Sequence, residues 1–141
     1  MAKKHAHKHA TASTPAELEG RVRRAMQEGR YQNALELCKQ LCRQEPTPAR
    51  EELLRSIYLG RIRQLRSQGM TRDARSLLDH VLQLGYREPA WLEQLAVELA
   101  AVGDSRRALE LAQSLPNGQA QAQIHAVAVD QALAQKAAGR A

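Results

Sequence analysis

The fold is indicated by a six-residue pattern that occurs three times: Gly29-Arg30-Tyr31-Gln32-Asn33-Ala34, Gly69-Met70-Thr71-Arg72-Asp73-Ala74 and Gly103-Asp104-Ser105-Arg106-Arg107-Ala108. Each glycine separates two segments whose apolar residues recur every three or four positions, the spacing of amphipathic helices. A glycine ends a helix where positive φ is needed, and the alanine five residues later allows two helices to approach closely. The pattern therefore predicts three helical hairpins with a glycine at each turn.

Helix starts are marked by threonine and proline. Thr14-Pro15-Ala16-Glu17 places a Thr before a Pro and a Glu three residues after that Thr, which is the sequence of a capping box. A similar start recurs at Thr47-Pro48, and weaker ones occur at Thr71 and Ser105. We expect a helix to begin at each of these four points.

The spacing of the three glycines resembles that of tetratricopeptide repeats, whose helix-turn-helix unit has about 34 residues. Gly69 and Gly103 are 34 residues apart, and Gly29 and Gly69 are 40 apart, so six extra residues should lengthen the second repeat's first helix or the turn around residues 45–50. The resemblance covers roughly residues 15 to 116, and related helical-hairpin repeats fit the same degenerate motifs. It implies an all-α, right-handed α-solenoid of about three repeats plus a C-terminal helix.

The chain divides into three parts by composition. Residues 1–13 hold Lys, His, Ala and Thr without a large apolar side chain after Met1, which predicts a flexible tail. The repeat domain should cover residues 14–116. The Ala- and Gln-rich segment 117–141 is expected to form a helix that caps the last hairpin, or to open an incomplete fourth repeat, since Gly139 follows Gly103 by 36 residues.

Composition and charge narrow the class of protein. Aromatic residues make up 3% of the chain and Phe is absent, which disfavours a strand-rich fold. The net charge is +6, and the positive excess lies in residues 1–90, which hold 17 Lys/Arg against 10 Asp/Glu. No stretch has the 18 or more apolar residues of a membrane span, and the two cysteines are one helical turn apart, where a mutual disulfide is awkward. We expect a protein of the cytoplasm that does not bind membranes.

No constellation of catalytic or cofactor-binding residues is found. The phosphate-loop, dinucleotide-binding, zinc-protease and nucleophile-elbow motifs are all missing, so the sequence predicts neither an enzyme nor a cofactor. Cys38 and Cys42 form no four-ligand metal set and are expected to be core residues. His5, His7 and His9 have the spacing of a metal chelate on an extended chain, but the adjacent lysines favour a solvated tail.

In tetratricopeptide repeat proteins the first helices of successive hairpins line a concave groove. The resemblance implies that this groove is basic and that its partner-binding positions are Arg23, Met26, Leu59, Arg63, Arg66, Glu93 and Val97. The family's clamp for a peptide's terminal carboxylate combines Lys and Arg with Asn, and no Asn stands at these positions. An acidic peptide held by arginines is therefore the ligand that we expect.

These features predict a non-catalytic interaction module or scaffold that binds a peptide or a partner protein. One alternative is a nucleic-acid-binding adaptor that uses the basic tail and the arginines of the second hairpin, although aromatic residues for base stacking are scarce. These arginines are Arg50, Arg55, Arg61, Arg63, Arg66, Arg72 and Arg75. Another alternative is a self-assembling structural protein, since open-ended solenoids can stack end to end.

Overall fold

The computed structural model describes residues 14–115 together with 124, 126, 127, 129, 130 and 133. Within this part of the chain there are six helices and no strand: α1 Pro15–Gln27, α2 Tyr31–Gln44, α3 Pro48–Ser67, α4 Thr71–Gln83, α5 Pro89–Ala101 and α6 Ser105–Gln113. The six described residues between 124 and 133 are helical as well. The all-α prediction is confirmed. The predicted tail with its three histidines, and most of the predicted C-terminal helix, lie outside the described residues.

The three glycine turns have the same backbone geometry. Gly29, Gly69 and Gly103 have φ values of 76°, 77° and 90°. In each turn the amide of the residue after the glycine donates to the carbonyl five residues earlier, at 2.8, 2.8 and 2.9 Å, and the glycine amide donates to the carbonyl three residues earlier at 3.0 Å. This pair of bonds is a Schellman motif, which satisfies carbonyls that would otherwise be unpaired at the helix end. The prediction that these glycines end helices at positive φ is confirmed.

The alanines of the repeated pattern lie in the core. Ala34, Ala74 and Ala108 each have 0% exposure, as expected for positions where two helices approach closely. In the first hairpin α1 packs against α2, and in the last hairpin α5 packs against α6. The first and last hairpins therefore bury a small side chain at the same place, five residues after the glycine of the turn.

The predicted helix starts are observed, but their caps differ. Thr14 and Glu17 form the capping box, with the Glu17 amide donating to Thr14 Oγ1 and the Thr14 amide donating to Glu17 Oε1. Thr47 accepts from the amide of Arg50 at 3.2 Å. The helices α4 and α6 begin at Thr71 and Ser105, but α6 is capped by the preceding residue, Asp104, and α4 has no side-chain cap.

The six extra residues of the second spacing lie in a helix. The helix α3 has 20 residues, whereas α1 and α5 each have 13. The first of the two expected locations, a longer first helix in the second repeat, is thus the one observed. None of the described helices is both long enough and apolar enough to span a bilayer.

The chain forms two compact units, Met1–Gly60 and Arg61–Ala141, and the boundary falls within α3. The first unit buries apolar side chains of α1, α2 and the first part of α3: Leu18, Val22, Leu35, Cys38, Leu41, Leu54 and Ile57. The second unit buries those of the end of α3, α4 and α5: Ile62, Leu65, Leu78, Val81, Leu95 and Leu99. Each unit therefore has its own apolar core.

Candidate functional site

A buried carboxylate in α5, that of Glu98, pairs with two arginines of α3. Glu98 is 2% exposed and is the only charged side chain among the buried residues of the described chain. It lies beside Leu95 and Leu99, on the apolar side of the helix. Arg63 Nε donates to Glu98 Oε2 at 2.9 Å, and Arg66 Nε donates to Glu98 Oε1 at 3.2 Å. A carboxylate is stable in such a place only when it is paired and hydrogen-bonded.

The two arginines remain accessible while they hold Glu98. The side chain of Arg63 is 53% exposed and that of Arg66 is 38% exposed. Two guanidinium groups share one carboxylate, so the cluster has one positive charge in excess. The terminal nitrogens of Arg63 make no hydrogen bond to another described residue, and they are the donors available to a ligand.

A cleft of about 270 Å³ lies beside Arg63 on the surface of α5. The helix lines it with Ala90, Glu93, Gln94 and Val97, which share one face because they are three or four residues apart. Glu93 and Val97 are half-buried. The cleft thus has an apolar wall, an amide and two oppositely charged groups at its edge.

The structure brings three of the predicted groove residues together, since Arg63, Glu93 and Val97 line this cleft. Arg66 is held beside Arg63 through Glu98. Leu59 differs from the expectation: it is 7% exposed and belongs to the core, so it offers no apolar surface to a partner.

The two remaining groove residues belong to the first unit. Arg23 is exposed, and its Nη2 lies 3.2 Å from Glu19 Oε2 one turn earlier in α1. Met26 is half-buried. The cleft is accordingly a site of the second unit alone.

Sequence reasoning missed Glu98 and the cleft residues Ala90 and Gln94. The signal for Glu98 was present, because it falls at helical spacing from Leu95 and Val102, where an apolar residue is expected. It also missed the role of Arg75, whose Nε and Nη2 donate to the carbonyl of Val102 at 3.0 and 2.7 Å. Val102 is the C-cap of α5, so Arg75 stabilises the end of that helix.

A second charged cluster joins α4 and α6. Arg107 lies 2.6 Å from both Asp79 Oδ1 and Asp104 Oδ2, next to a shallow cavity of about 540 Å³. Burial raises the pKa of Asp104, but the hydrogen bonds from Arg107 and the charges of Arg107 and Arg106 outweigh it, so the pKa is lowered overall. Because Arg107 is already paired with two carboxylates, it has less charge to offer to a ligand.

One buried donor, next in sequence to a residue of the cleft, has no acceptor within the described ranges of the chain. Trp91 is 6% exposed, its ring lies edge-on to Tyr86 at 6.4 Å between centroids, and its Nε1 has no hydrogen-bond partner among the described residues. Tyr86 and Trp91 thus pack against each other where the chain passes from α4 into α5.

The cysteines are free thiols in the first unit. Cys38 has 0% exposure, as expected for a core residue, whereas Cys42 is only half-buried. Burial is the main cause that raises the pKa of Cys38 to about 12. Across the part of the chain that the structure describes, no three His, Cys, Asp or Glu side chains come close enough to hold a metal ion.

Comparisons with protein-family models, with curated proteins and with solved structures each find no match to this chain.

The chemical groups that line the cleft are suited to binding. The cleft offers a guanidinium, a carboxylate, an amide and an apolar wall, which are the kinds of group found in binding sites.

Proposed function

We propose that this chain is a non-catalytic interaction module whose hairpins, similar to tetratricopeptide repeats, stack into a right-handed solenoid. In this proposal the cleft beside α5 holds a segment of a partner protein that presents an acidic side chain to Arg63 and Arg66. The observation that carries the proposal is that Arg63 and Arg66 are both held by buried Glu98, with Arg63 at the edge of the cleft.

The contacts within the second unit support stacked hairpins. Arg63 and Arg66 of α3 contact Glu98 of α5, which pairs the first helices of two successive hairpins. Asp79 of α4 contacts Arg107 of α6, which pairs their second helices. In helical solenoids the first helices of neighbouring hairpins contact each other, and so do the second helices. The three glycine turns, which have the same geometry, fit the same arrangement.

The chemistry of the cleft favours a carboxylate ligand. A guanidinium can bind a carboxylate with two hydrogen bonds, and it is planar and always charged. Because Glu98 already fixes Arg63 and Arg66 through their Nε atoms, less side-chain entropy is lost when a ligand binds. An apolar contact with Val97 would then supply affinity beside the charged contact.

The pairing of the arginines weighs against the nucleic-acid alternative. Three of the arginines named for this alternative lie outside the cleft and contact protein groups: Arg50 contacts Glu45, Arg61 contacts Gln64 and Arg75 contacts the Val102 carbonyl. Phosphate binding needs cations that are free to replace counterions.

The free thiols of Cys38 and Cys42 fit a reducing compartment, and we include the cytoplasm in the proposal.

The test is affinity capture from native extract followed by mass spectrometry, with the whole chain as bait. Arg63→Gln removes a cleft donor and leaves Arg66 to pair with Glu98, so the fold should be kept. Arg72→Gln is the matched control, since Arg72 is exposed in α4 and lies outside the cleft. Partners that are lost with the first variant and kept with the second support the proposal. Partners that persist with both, or that vanish after nuclease treatment, would overturn it.

A further inference from the structure

We infer that the cleft selects a segment with charges of both signs: an acidic side chain that binds Arg63, a basic side chain that binds Glu93, and a small apolar residue between them. This inference rests on the proposed function and names the ligand class of that same site. It differs from a purely acidic ligand, which the arginines alone would suggest.

Glu93 is the residue that carries the inference. It is half-buried, it lines the same cleft as Arg63, and it makes no hydrogen bond or ion pair with another described residue. The other carboxylate of this region, Glu98, is already occupied by Arg63 and Arg66. A carboxylate that is partly removed from water gains most from a cation that approaches it in the bound state.

The same carboxylate rejects ligands of the wrong charge. An acidic side chain placed near Glu93 would meet a like charge in a partly desolvated cleft, and such contacts are a common source of specificity. Arg63 rejects a basic side chain at the other position for the same reason. The two residues together therefore fix both the composition of the ligand and its direction along α5.

The size and the remaining lining of the cleft limit what lies between the two charges. A cleft of about 270 Å³ is below the roughly 300–1,000 Å³ of small-molecule pockets, so it accepts one or two side chains rather than a folded element. Ala90 and Val97 provide apolar surface for a small aliphatic side chain. The Gln94 amide can both donate and accept, which suits the backbone of an extended peptide.

The experiment is a selection of displayed random heptapeptides on the whole chain, followed by fluorescence anisotropy with the most enriched peptide after synthesis. We expect enriched peptides to contain an acidic and a basic residue separated by an aliphatic one. Arg63→Gln and Glu93→Gln should each weaken the selected peptide about tenfold, the loss of one charge-assisted hydrogen bond. Glu93→Lys should shift the preference to peptides with two acidic residues, and Arg72→Gln should leave the affinity unchanged.

The outcomes separate the inference from the proposed function. Enriched peptides that are acidic only, and that depend on Arg63 but not on Glu93, would overturn the inference and leave the proposed function intact. Peptides that bind to the Arg63→Gln and Glu93→Gln variants as tightly as to the parent chain would overturn both. If the selection on the parent chain enriches no peptide more than a selection on the double variant Arg63→Gln/Glu93→Gln does, both are also overturned.

Discussion

Glu19 in α1 and Glu98 in α5 each contact two arginines, but they differ in their exposure to water. The side chain of Glu19 is 33% exposed and lies 3.2 Å from Arg23 and 3.6 Å from Arg50. Glu98 is 2% exposed, and both of its arginines make hydrogen bonds. Exposed ion pairs contribute little to stability, whereas breaking a buried one leaves an uncompensated charge. Breaking the ion pairs of Glu19 in the first unit should therefore cost little stability, whereas breaking those of Glu98 in the second unit should cost much more.

The largest expected effect breaks the pair around Glu98. We expect the double variant Arg63→Ala/Arg66→Ala to lower the free energy of unfolding by about 3 kcal/mol, measured by urea denaturation. This is the lower end of the ~3–5 kcal/mol for an orphaned buried charge, because both guanidiniums are partly hydrated and water can reach the vacated space.

Two variants serve as controls for that measurement. Adding Glu98→Gln to the double variant removes the orphaned charge and should restore part of the lost stability. Glu19→Gln should cost less than about 1 kcal/mol, since a third of the Glu19 side chain is exposed and its hydrogen-bonded partner Arg23 lies at the surface. Equal losses from the arginine double variant and from Glu19→Gln would show that burial does not distinguish the two units.

The second prediction concerns what the two units have in common, the buried alanine after each glycine turn. Ala34→Leu, Ala74→Leu and Ala108→Leu should each overpack a hairpin and lower stability by about 1–3 kcal/mol. Thermal unfolding followed by circular dichroism measures the loss. Ala16→Leu, at an exposed position of α1, is the control. Melting curves that match the parent for all three variants would contradict the repeat alignment.

A third prediction uses the different caps of α1 and α6, a threonine hydroxyl and the Asp104 carboxylate. Since the pKa of Asp104 is lowered in the folded chain, its stabilisation is fully present above its unfolded pKa of about 3.9 and is lost as the pH falls through the folded value. Asp104→Asn keeps a capping side chain but loses the charge that pairs with Arg107, at a cost of about 1 kcal/mol.

Urea denaturation at several pH values checks this sign. The stability difference between the parent and Asp104→Asn should be present at pH 7 and should shrink below pH ~4. Asp73→Asn removes an exposed carboxylate from the first turn of α4 and controls for net charge. A difference that grows toward acid pH would refute the role given to Arg107.

The smallest effect compares two helical glycines of the first unit. A Cβ added to Gly20 has nothing within 4 Å, so Gly20→Ala should raise stability by about 0.5–1 kcal/mol through helix propensity. A Cβ on Gly60 would overlap the ring of Tyr31, so Gly60→Ala should gain less or lose stability. Differential scanning calorimetry of both variants, with Gly60→Ala repeated in a Tyr31→Ala background, tests this. An equal gain from both alanines would mean that Tyr31 does not pack closely on α3.

The parts of the fold that were predicted from sequence are those fixed by local interactions. The turns at Gly29, Gly69 and Gly103 depend on a positive φ that glycine adopts freely, and the box at Thr14 depends on two residues three positions apart. Both can be recognised without knowledge of the rest of the chain. The site at Glu98 depends on residues 32 and 35 positions away, and nothing local in α5 identifies which arginines reach it.

The position of Leu59 shows a second limit. Leu59 and Arg63 lie one helical turn apart in α3, so helical spacing assigns them to one face. Leu59 is nevertheless buried, whereas Arg63 is exposed. The exposure of a side chain depends on what packs against it, and the spacing of residues within one helix does not show this.

Trp91 gives the chain an internal optical probe, since it is the only tryptophan. Its indole is buried against Tyr86, and its N–H has no acceptor in the part of the chain that the structure describes, a setting in which tryptophan emits at short wavelength. Ala90, the preceding residue, lines the cleft, so the proposed segment would bind one residue away from Trp91. An acceptor that reaches the indole N–H shifts the emission to the red, so the fluorescence of the unlabelled protein reports a change in the surroundings of this ring.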